Sequence, residues 1–287
     1  MVGAIFVSPH LDDAVLSCGG GIARLTREGV RVPVVTVFTA DQPLGEPLSP
    51  LAKRSHASWG VGDQPFAVRR AEDRSALGLL GAKAVHLGLL DAMYRRTPSG
   101  AAQYGDPLAA PTADDVEHFL PRLAAALRDS PPAASSRARV FCPAGTGGHV
   151  DHVLVRRAVE QIVDVERIVY YEEYPYISRR GVSSAMNEDG ASRPPDVLAL
   201  SAEELDARIA AIDCYVSQLR GLFPSEPERL REIASAHLPV VRRWLSRPPN
   251  ADASRRRAAA RIRRDTTLLG GERYRWSSQS VSPFPAR

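Results

Sequence analysis

Short apolar runs alternate with helical patterns along most of this chain, and the alternation restricts the folds available to it. Apolar runs rich in β-branched residues predict strands at 3–8, 30–39, 84–89, 138–143 and 167–172. Helical patterns lie between and after these strands, at 14–28, 68–80, 113–128, 150–163, 202–219 and 226–245. Because strands that alternate with helices are typical of βα units, we expect an α/β protein with a mostly parallel sheet flanked by helices.

Two segments fall outside this alternation. Residues 43–66 are rich in proline, glycine and serine and predict a long loop. Loops of that length in a compact domain often cover a functional site. Residues 246–287 form an arginine-rich C-terminal extension, which we expect to pack on, or to continue, the domain formed by residues 1–245.

The positive charge of the chain is concentrated in that extension. Twelve arginines against three acids give residues 242–287 a charge of +9, so the preceding residues carry −5 of the net +4. Clustered arginines can bind the phosphates of nucleic acids. A solvated terminal helix is the simpler interpretation, and we expect no nucleic-acid partner.

Cysteine usage and hydropathy indicate a protein of the reducing cytoplasm without a membrane partner. The three cysteines have no CxxC spacing, so they predict neither a disulfide framework nor a cysteine zinc cluster. No apolar run approaches the roughly 20 residues that span a bilayer. The sequence leaves open whether the chain forms a homo-oligomer.

Three residues with metal-binding side chains follow the first predicted strand: His10, Asp12 and Asp13. Open α/β sheets bind their ligands outside the carboxyl ends of the strands. A histidine and two carboxylates at that position are suited to a metal site. The alternative is an aspartate that caps the following helix, next to a surface histidine.

A second group follows the strand predicted at 138–143 and opens the next helix. It contains His149, Asp151 and His152, and histidines three residues apart on a helix can face one site. Helix capping with two incidental histidines is again the alternative. Histidines and acids at two equivalent strand-to-helix junctions favour one shared metal site.

The residue types favour zinc. A catalytic zinc takes three His, Asp or Glu ligands and keeps a fourth position for water. His10, Asp13 and His152 satisfy that count, which leaves Asp12 and His149 for proton transfer and charge stabilisation. No thiolate lies near either motif, so copper(I) and iron–sulfur clusters are disfavoured.

These motifs resemble those of the LmbE-like deacetylases, which include the N-acetylglucosaminyl-phosphatidylinositol (PIG-L) and mycothiol-pathway deacetylases. That family carries His-Pro-Asp-Asp-Glu after its first strand and His-x-Asp-His before a later helix. The chain has HLDDA at 10–14 and HVDH at 149–152. Further similar segments are RRAE at 69–72, LGLLDAMYR at 87–95, YYEEYPY at 170–176 and YVSQ at 215–218. The resemblance covers residues 1–245 and implies a Rossmann-like deacetylase domain.

The resemblance implies one zinc ion per chain, bound by His10, Asp13 and His152. Asp12 would be the general base, and protonated His149 would stabilise the tetrahedral intermediate or protonate the amine. The implied enzyme is a zinc-dependent hydrolase that removes an N-acyl group, with N-acetyl as the expected one, from an amino sugar or a sugar-like small molecule. N-acetylglucosamine conjugates of secondary metabolism are the implied substrate class.

Two polar positions match residues that line the family's pocket, Arg69 and Asp91, and the resemblance implies that they contact substrate. Each has a structural alternative. Arg69 is spaced for an ion pair with Asp73 one helical turn later. Asp91 is placed to cap a turn.

The chain also departs from the family pattern. Leu11 and Ala14 replace the usual proline and glutamate, which puts part of the second coordination sphere in doubt. Some members have a tyrosine two residues before the first histidine of the second motif, where this chain has Gly147. A hydroxyl aimed at the oxyanion would therefore have to come from another residue.

Three other functions compete with this interpretation. A mycothiol-conjugate-type amidase would use the same site on a larger acyl group. A dinucleotide-binding protein is suggested by the glycines at 19–21, although they do not spell GxGxxG. The arginine-rich extension leaves a nucleic-acid-binding module as the third.

Overall fold

The structure is a computed structural model that describes residues 3–62, 64–130, 137–178, 196–223, 251–276 and 284. Within these residues, seven strands form one sheet with the order β3-β2-β1-β4-β5-β7-β6. The strands are β1 (Ala4–Ser8), β2 (Pro33–Phe38), β3 (Lys83–Leu89), β4 (Arg139–Pro143), β5 (Ile168–Tyr171), β6 (Asp196–Leu198) and β7 (Glu272–Trp276).

Strands β1 to β5 are parallel, whereas β7 pairs antiparallel with β5 and with β6. The chain adds β2 and β3 on one side of β1 and then returns to place β4 on the other side. The strand order therefore reverses between β1 and β4, which is where open α/β sheets bind ligands. The expected α/β class with a mostly parallel sheet is confirmed.

Helices cover both faces of the sheet. They are α1 (Asp13–Arg27), α2 (Pro50–Trp59), α3 (Pro65–Leu79), α4 (Leu120–Asp129), α5 (Val150–Ile162), α6 (Ala202–Ile212), α7 (Val216–Leu222) and α8 (Ala251–Leu269). One core contains Phe6 and buried residues of α1, α3, α6, α7 and α8. The other contains Ile5, Val7 and buried residues of α2, α4 and α5. Alternate residues of β1 enter opposite cores because successive strand side chains point to opposite faces.

The loop expected at 43–66 is wrong over residues 50–59, which form α2. The hydroxyl of Ser49 caps the helix by accepting a hydrogen bond from the amide of Ala52, and Pro50 occupies the first turn. Gly60 ends the helix with φ of 65°. Ser-Pro and Gly are ordinary start and stop signals of a helix. In a segment rich in serine, proline and glycine, however, the composition as a whole predicts a loop.

Other predicted helices also differ in detail from the observed ones. A π-helical turn, Asp115–Phe119, precedes α4 within the segment predicted at 113–128. The helix predicted at 202–219 is two helices, because α6 ends at Ile212 and α7 begins at Val216. The helix predicted at 226–245 lies outside the described residues.

The C-terminal extension contributes both a helix and a strand to this fold. Ala258 and Ile262 of α8 are buried in the core, so the helix is solvated on one face only. Strand β7 lies between β5 and β6 in the sheet, a position that the sequence did not indicate.

The glycines at 19–21 lie inside α1 and serve close packing. A Cβ atom on Gly20 would lie 2.6 Å from the side chain of Leu200, and one on Gly21 would lie 2.8 Å from the hydroxyl of Tyr274. These glycines therefore admit neighbouring segments to the helix and do not form a phosphate-binding loop. The three cysteines are free thiols. Among the described helices, none has the length and apolar character needed to cross a membrane.

Candidate active site

The turn after β1 is held by its own side chains. The hydroxyl of Ser8 donates to the carbonyl oxygen of His10 at 2.7 Å and accepts from the amide of Ala14 at 3.0 Å. The amide of His10 donates to Oδ2 of Asp13 at 2.8 Å. These bonds close a tight turn that presents His10, Asp12 and Asp13 at the carboxyl end of β1.

The segment after β4 is anchored by Glu173, which is fully buried. Its carboxylate accepts hydrogen bonds from the amides of Gly145 and Thr146, at 2.8 and 3.0 Å. His149 then occupies the N-cap of α5, and His152 lies in its first turn. Since β1 and β4 are adjacent parallel strands, the two segments meet.

Three donor atoms converge where they meet. Nδ1 of His10 lies 3.1 Å from Oδ2 of Asp13, and Nε2 of His152 lies 3.2 Å from the same oxygen. The two histidine nitrogens are 3.3 Å apart. Two imidazole nitrogens and one carboxylate oxygen within 4.8 Å of one another can hold a divalent ion, and this donor set fits zinc.

A second combination, His10, His149 and Asp151, also satisfies that distance limit. Asp151 is less available, because Oδ1 accepts from Arg95 at 2.7 Å and Oδ2 accepts from the amide of Ala92 at 3.0 Å. We therefore favour the first combination as the ligand set.

Two buried carboxylates orient the histidines. Oδ2 of Asp151 lies 3.1 Å from Nε2 of His10, and Oε1 of Glu173 lies 3.1 Å from Nδ1 of His152. Each carboxylate turns the other ring nitrogen toward Asp13, an arrangement that fixes metal-binding histidines. The orienting role of these carboxylates was not predicted, although Asp151 lies in HVDH and Glu173 in YYEEYPY.

The charges of this cluster depend on one another. Burial lowers the pKa of His152, but the carboxylates of Asp13 and Glu173 raise it to about 9. Burial raises the pKa of Asp13, but the charge of His152 and a hydrogen bond from His10 bring it well below its usual value. The cluster without metal therefore holds cationic histidines against a carboxylate, and a metal ion would displace their protons.

Asp12 differs from Asp13 in its surroundings. Burial and the neighbouring Asp13 raise its pKa to about 7, while Arg69, 3.7 Å away, opposes the shift. A carboxylate whose pKa lies near neutrality can both accept and release a proton under physiological conditions. The surroundings of Asp12 thus bring its pKa close to neutral pH, unlike that of Asp13.

His149 is electrically neutral in this environment. Burial and the charges of His10 and His152 lower its pKa to about 3. Its Nδ1 accepts a hydrogen bond from the amide of Asp151 at 3.2 Å, so the proton of the neutral ring is on Nε2. In the metal-free cluster the neutral ring of His149 is thus a hydrogen-bond donor through Nε2, whereas the resemblance implies a protonated ring.

Arg69 and Asp91 both line the cleft above the cluster. Arg69 does not pair with Asp73, whose carboxylate instead bonds His86 and Tyr215, both at 2.7 Å.

Asp91 makes the expected turn cap, with Oδ1 accepting from the amide of Met93. Its Oδ2 lies 3.5 Å from Nε2 of His10, so the same side chain also belongs to the cluster.

The cleft has a cavity of about 190 Å³, with the charged cluster at its base. Helix α2 lines one wall with Leu51, Ser55 and Trp59, which are spaced four residues apart and so share one face. Gln218 and Leu222 of α7 line the wall in the same way. The segment expected to be a loop over the site is therefore a helix beside it.

The departures from the family pattern have structural explanations. Leu11 and Ala14 are buried core residues, so their side chains pack and hold no polar group. Gly147 has φ of +85°, and a Cβ atom there would overlap the ring of Tyr176. Tyr176 lines the cleft and packs edge-on to His152, with ring centroids 5.8 Å apart. Tyr176 was not predicted as a site residue, and its position in YYEEYPY is the only feature of the sequence that could have indicated it.

Comparison with known proteins places these residues in a family. Residues 5–163 match the family described as "PIG-L: GlcNAc-PI de-N-acetylase". The chain is 28% identical to the 2'-N-acetylparomamine deacetylase of Niallia circulans, over 78% of this chain and 83% of that protein. It is 30% identical to the 1D-myo-inositol 2-acetamido-2-deoxy-alpha-D-glucopyranoside deacetylase of Rhodococcus opacus (strain B4), over 56% of this chain and 52% of that protein. A solved structure of the zinc-inhibited form of teicoplanin deacetylase Orf2 superposes with a TM-score of 0.65, at 25% identity, over 97% of this chain and 100% of that one.

Proposed function

The chain belongs to the GlcNAc-PI de-N-acetylase (PIG-L) family, and we propose that it is a zinc-dependent hydrolase that removes an N-acetyl group from an amino sugar or a sugar-like small molecule. The observation that carries this proposal is the convergence of Nδ1 of His10, Oδ2 of Asp13 and Nε2 of His152 at the base of a cleft. These three residues would hold the metal. The activities named for the two curated relatives support an N-acetylated amino sugar as substrate.

A zinc ion held by these residues would polarise the amide carbonyl and lower the pKa of a bound water. The proton chemistry belongs to Asp12, whose carboxylate lies beside the cluster and titrates near pH 7. As general base, Asp12 would take the proton of the attacking water and then deliver it to the amine that leaves. One buried carboxylate can serve both steps because its two protonation states have similar free energies near neutral pH.

His149 and Arg69 would stabilise negative charge on the substrate. The neutral ring of His149 offers an N–H from Nε2, and a preorganised donor in a buried site stabilises a developing oxyanion. The Arg69 guanidinium is buried between the site and an aromatic wall, with its carbon 4.6 Å from the ring centroid of Trp59. It can hold an acidic or hydroxyl group, and Asp91 can accept hydrogen bonds from hydroxyls.

The size and lining of the cleft suit a small amphipathic molecule. Trp59 gives one apolar surface, while Ser55, Gln218 and Asp91 give hydrogen-bonding groups around it. Small-molecule pockets characteristically combine an apolar wall with a few placed polar groups. We propose a cytoplasmic location as well, because the three cysteines are free thiols and these persist in a reducing compartment.

The test is conversion of N-acetylated amino sugars by metal-loaded protein, with the free amine detected by fluorogenic labelling. The panel should contain N-acetylglucosamine, its glycosides and N-acetylated aminoglycoside fragments. Protein treated with a chelator is the matched control, and activity should return when zinc is added back. Release of amine only from thiol-conjugated amides would replace the deacetylase with a mycothiol-conjugate-type amidase. No release from either group of compounds by protein that holds metal would contradict the proposed function.

A further inference from the structure

Arg95 is a buried cation that is not part of the cleft. It lies just after the turn that follows β3 and is 5% exposed. Its guanidinium lies between two buried carboxylates, with Nη1 donating to Oδ1 of Asp151 at 2.7 Å and Nε 3.4 Å from Oδ1 of Asp115. Asp115 also accepts a hydrogen bond from the hydroxyl of Tyr104.

Aromatic rings fix the plane of this guanidinium. Its carbon lies 4.8 Å from the ring centroid of Phe119, 5.3 Å from that of Tyr104 and 5.5 Å from that of Phe38. Cations are stabilised over ring faces at such distances, and the stabilisation increases when water is excluded. Arg95 is thus held in one orientation by contacts on several sides.

Asp151 transmits this orientation to the metal cluster. One of its oxygens is engaged by Arg95, and the other accepts from the amide of Ala92 and faces Nε2 of His10. The carboxylate is fully buried and cannot rotate without losing these bonds. His10 is consequently turned so that Nδ1 faces Asp13 and His152.

We propose that Arg95 is a positioning residue for the metal centre, which acts through Asp151 to orient the imidazole of His10. The proposal rests on the proposed metal-dependent function, because it concerns the affinity of the cluster for a divalent ion. Arg95 touches neither the candidate ligands nor the cavity. Its effect should therefore be visible in metal binding itself, apart from any catalytic measurement.

Arg24 offers a matched control. It is a similarly buried arginine, 6% exposed, and it makes two bonds to the carboxylate of Glu204, at 2.9 and 2.7 Å. It lies eleven residues after Asp13 on α1, or about 16 Å along the helix axis. Loss of either arginine removes a close cation from a buried carboxylate, although Glu204 keeps Arg27 at 2.8 Å. Of the two pairs, only Arg95–Asp151 continues to a candidate ligand.

The experiment measures zinc affinity by competition with a chromophoric chelator, together with the unfolding midpoint of each metal-free variant. Removing a direct partner of a metal ligand usually weakens metal binding by about 10- to 100-fold. Arg95 lies one bond further out, so Arg95→Met should bind zinc about tenfold more weakly, at the lower end of that range. Arg24→Met should lower the unfolding midpoint without changing zinc affinity. Arg95→Lys keeps the charge but loses the fork and should show a smaller loss of affinity.

A double-mutant cycle tests the route through Asp151. If Arg95 acts through that carboxylate, Arg95→Met adds no further loss of zinc affinity to Asp151→Asn. Additive losses, or equal losses in Arg95→Met and Arg24→Met, would overturn the proposal. Should Arg95→Met fail to fold, wild-type affinity in Arg95→Lys would also overturn it. If the wild-type protein binds no metal, the proposed function fails before any variant is compared.

Discussion

A Cβ atom on Gly147 would lie 2.6 Å from Cδ1 of Tyr176, closer than side chains approach one another in proteins. The glycine and the tyrosine are therefore matched, because Tyr176 can line the cleft in this position only while residue 147 has no side chain. The backbone adds a second requirement, since φ of +85° at Gly147 lies in the left-handed region that other residues avoid.

Gly147→Ala is expected to destabilise the protein by about 1–3 kcal/mol from backbone strain, and the overlap with Tyr176 should add a further loss. Gly148→Ala separates the two effects, because Gly148 has φ of +73° but a Cβ atom added there would meet no atom within 4 Å. Denaturant unfolding should show the larger loss for Gly147→Ala. Equal losses in the two variants would mean that Tyr176 moves aside without cost.

Asp12 and Asp13 are adjacent carboxylates with different predicted functions. Asp12→Asn should keep the metal and lose turnover by about 10²-fold or more, because an amide cannot act as the base. Asp13→Asn should weaken metal binding itself. Elemental analysis and turnover of the two variants, purified identically, distinguish these outcomes. An active Asp12→Asn enzyme, or one that loses metal as readily as Asp13→Asn, would reverse the two assignments.

Metal binding is expected to strengthen as pH rises toward about 9, the pKa to which Asp13 and Glu173 raise His152. Below that pH the metal-free ring carries a proton, and the proton must leave before Nε2 can bind an ion. The raised pKa also stabilises the metal-free fold at low pH, and that contribution is lost as pH rises from the unfolded value of 6.5 to about 9.

Chelator competition across this pH range gives the zinc affinity directly. The affinity should rise by up to about tenfold per pH unit for each proton released. Zinc affinity that does not change with pH would contradict a protonated His152. Asp13→Asn, which removes the main source of the raised pKa, should flatten the metal-free stability profile.

The sequence was most informative where metal-binding side chains directly follow a strand that the hydropathy pattern predicts. His10 and His152 stand at strand-to-helix junctions that are visible in hydropathy alone. The strand order that makes β1 and β4 neighbours was not predicted, since a parallel sheet allows other orders. The sequence did not predict the orienting contacts of Asp151 and Glu173, because those contacts depend on loops that meet only in the folded chain.

Strands β6 and β7 were not predicted from the sequence. Strand β7 pairs with β5, about a hundred residues earlier, and β6 is three residues long. Neither has a periodic pattern long enough to identify a strand. Helix α2 was missed for a different reason, since its capping signals lie among prolines, glycines and serines that predict a loop.

The C-terminal extension was expected to pack on the domain or to continue it, and its strand β7 lies within the sheet. Glu272 of β7 is buried, and its carboxylate accepts from the amides of Gly20 and Gly21 at 2.7 and 2.9 Å. The hydroxyl of Tyr274 donates to the same carboxylate at 2.8 Å. The final strand is thus bonded to the middle of α1, the helix that begins at Asp13.

Glu272→Gln should therefore destabilise the protein by about 1–3 kcal/mol, the usual cost of leaving a buried hydrogen-bonding group unsatisfied. Glu203→Gln is the control, because its side chain is 83% exposed and its ion pair with Arg27 lies at the surface. A chain that ends at residue 248 loses β7 entirely and should not fold, although every candidate metal ligand precedes residue 153. Circular dichroism shows whether the truncated chain folds, and its zinc affinity shows whether the candidate ligands still bind metal. If it folds and binds zinc as tightly as the full chain, the extension is dispensable and the bonds of Glu272 to α1 do not stabilise the metal centre.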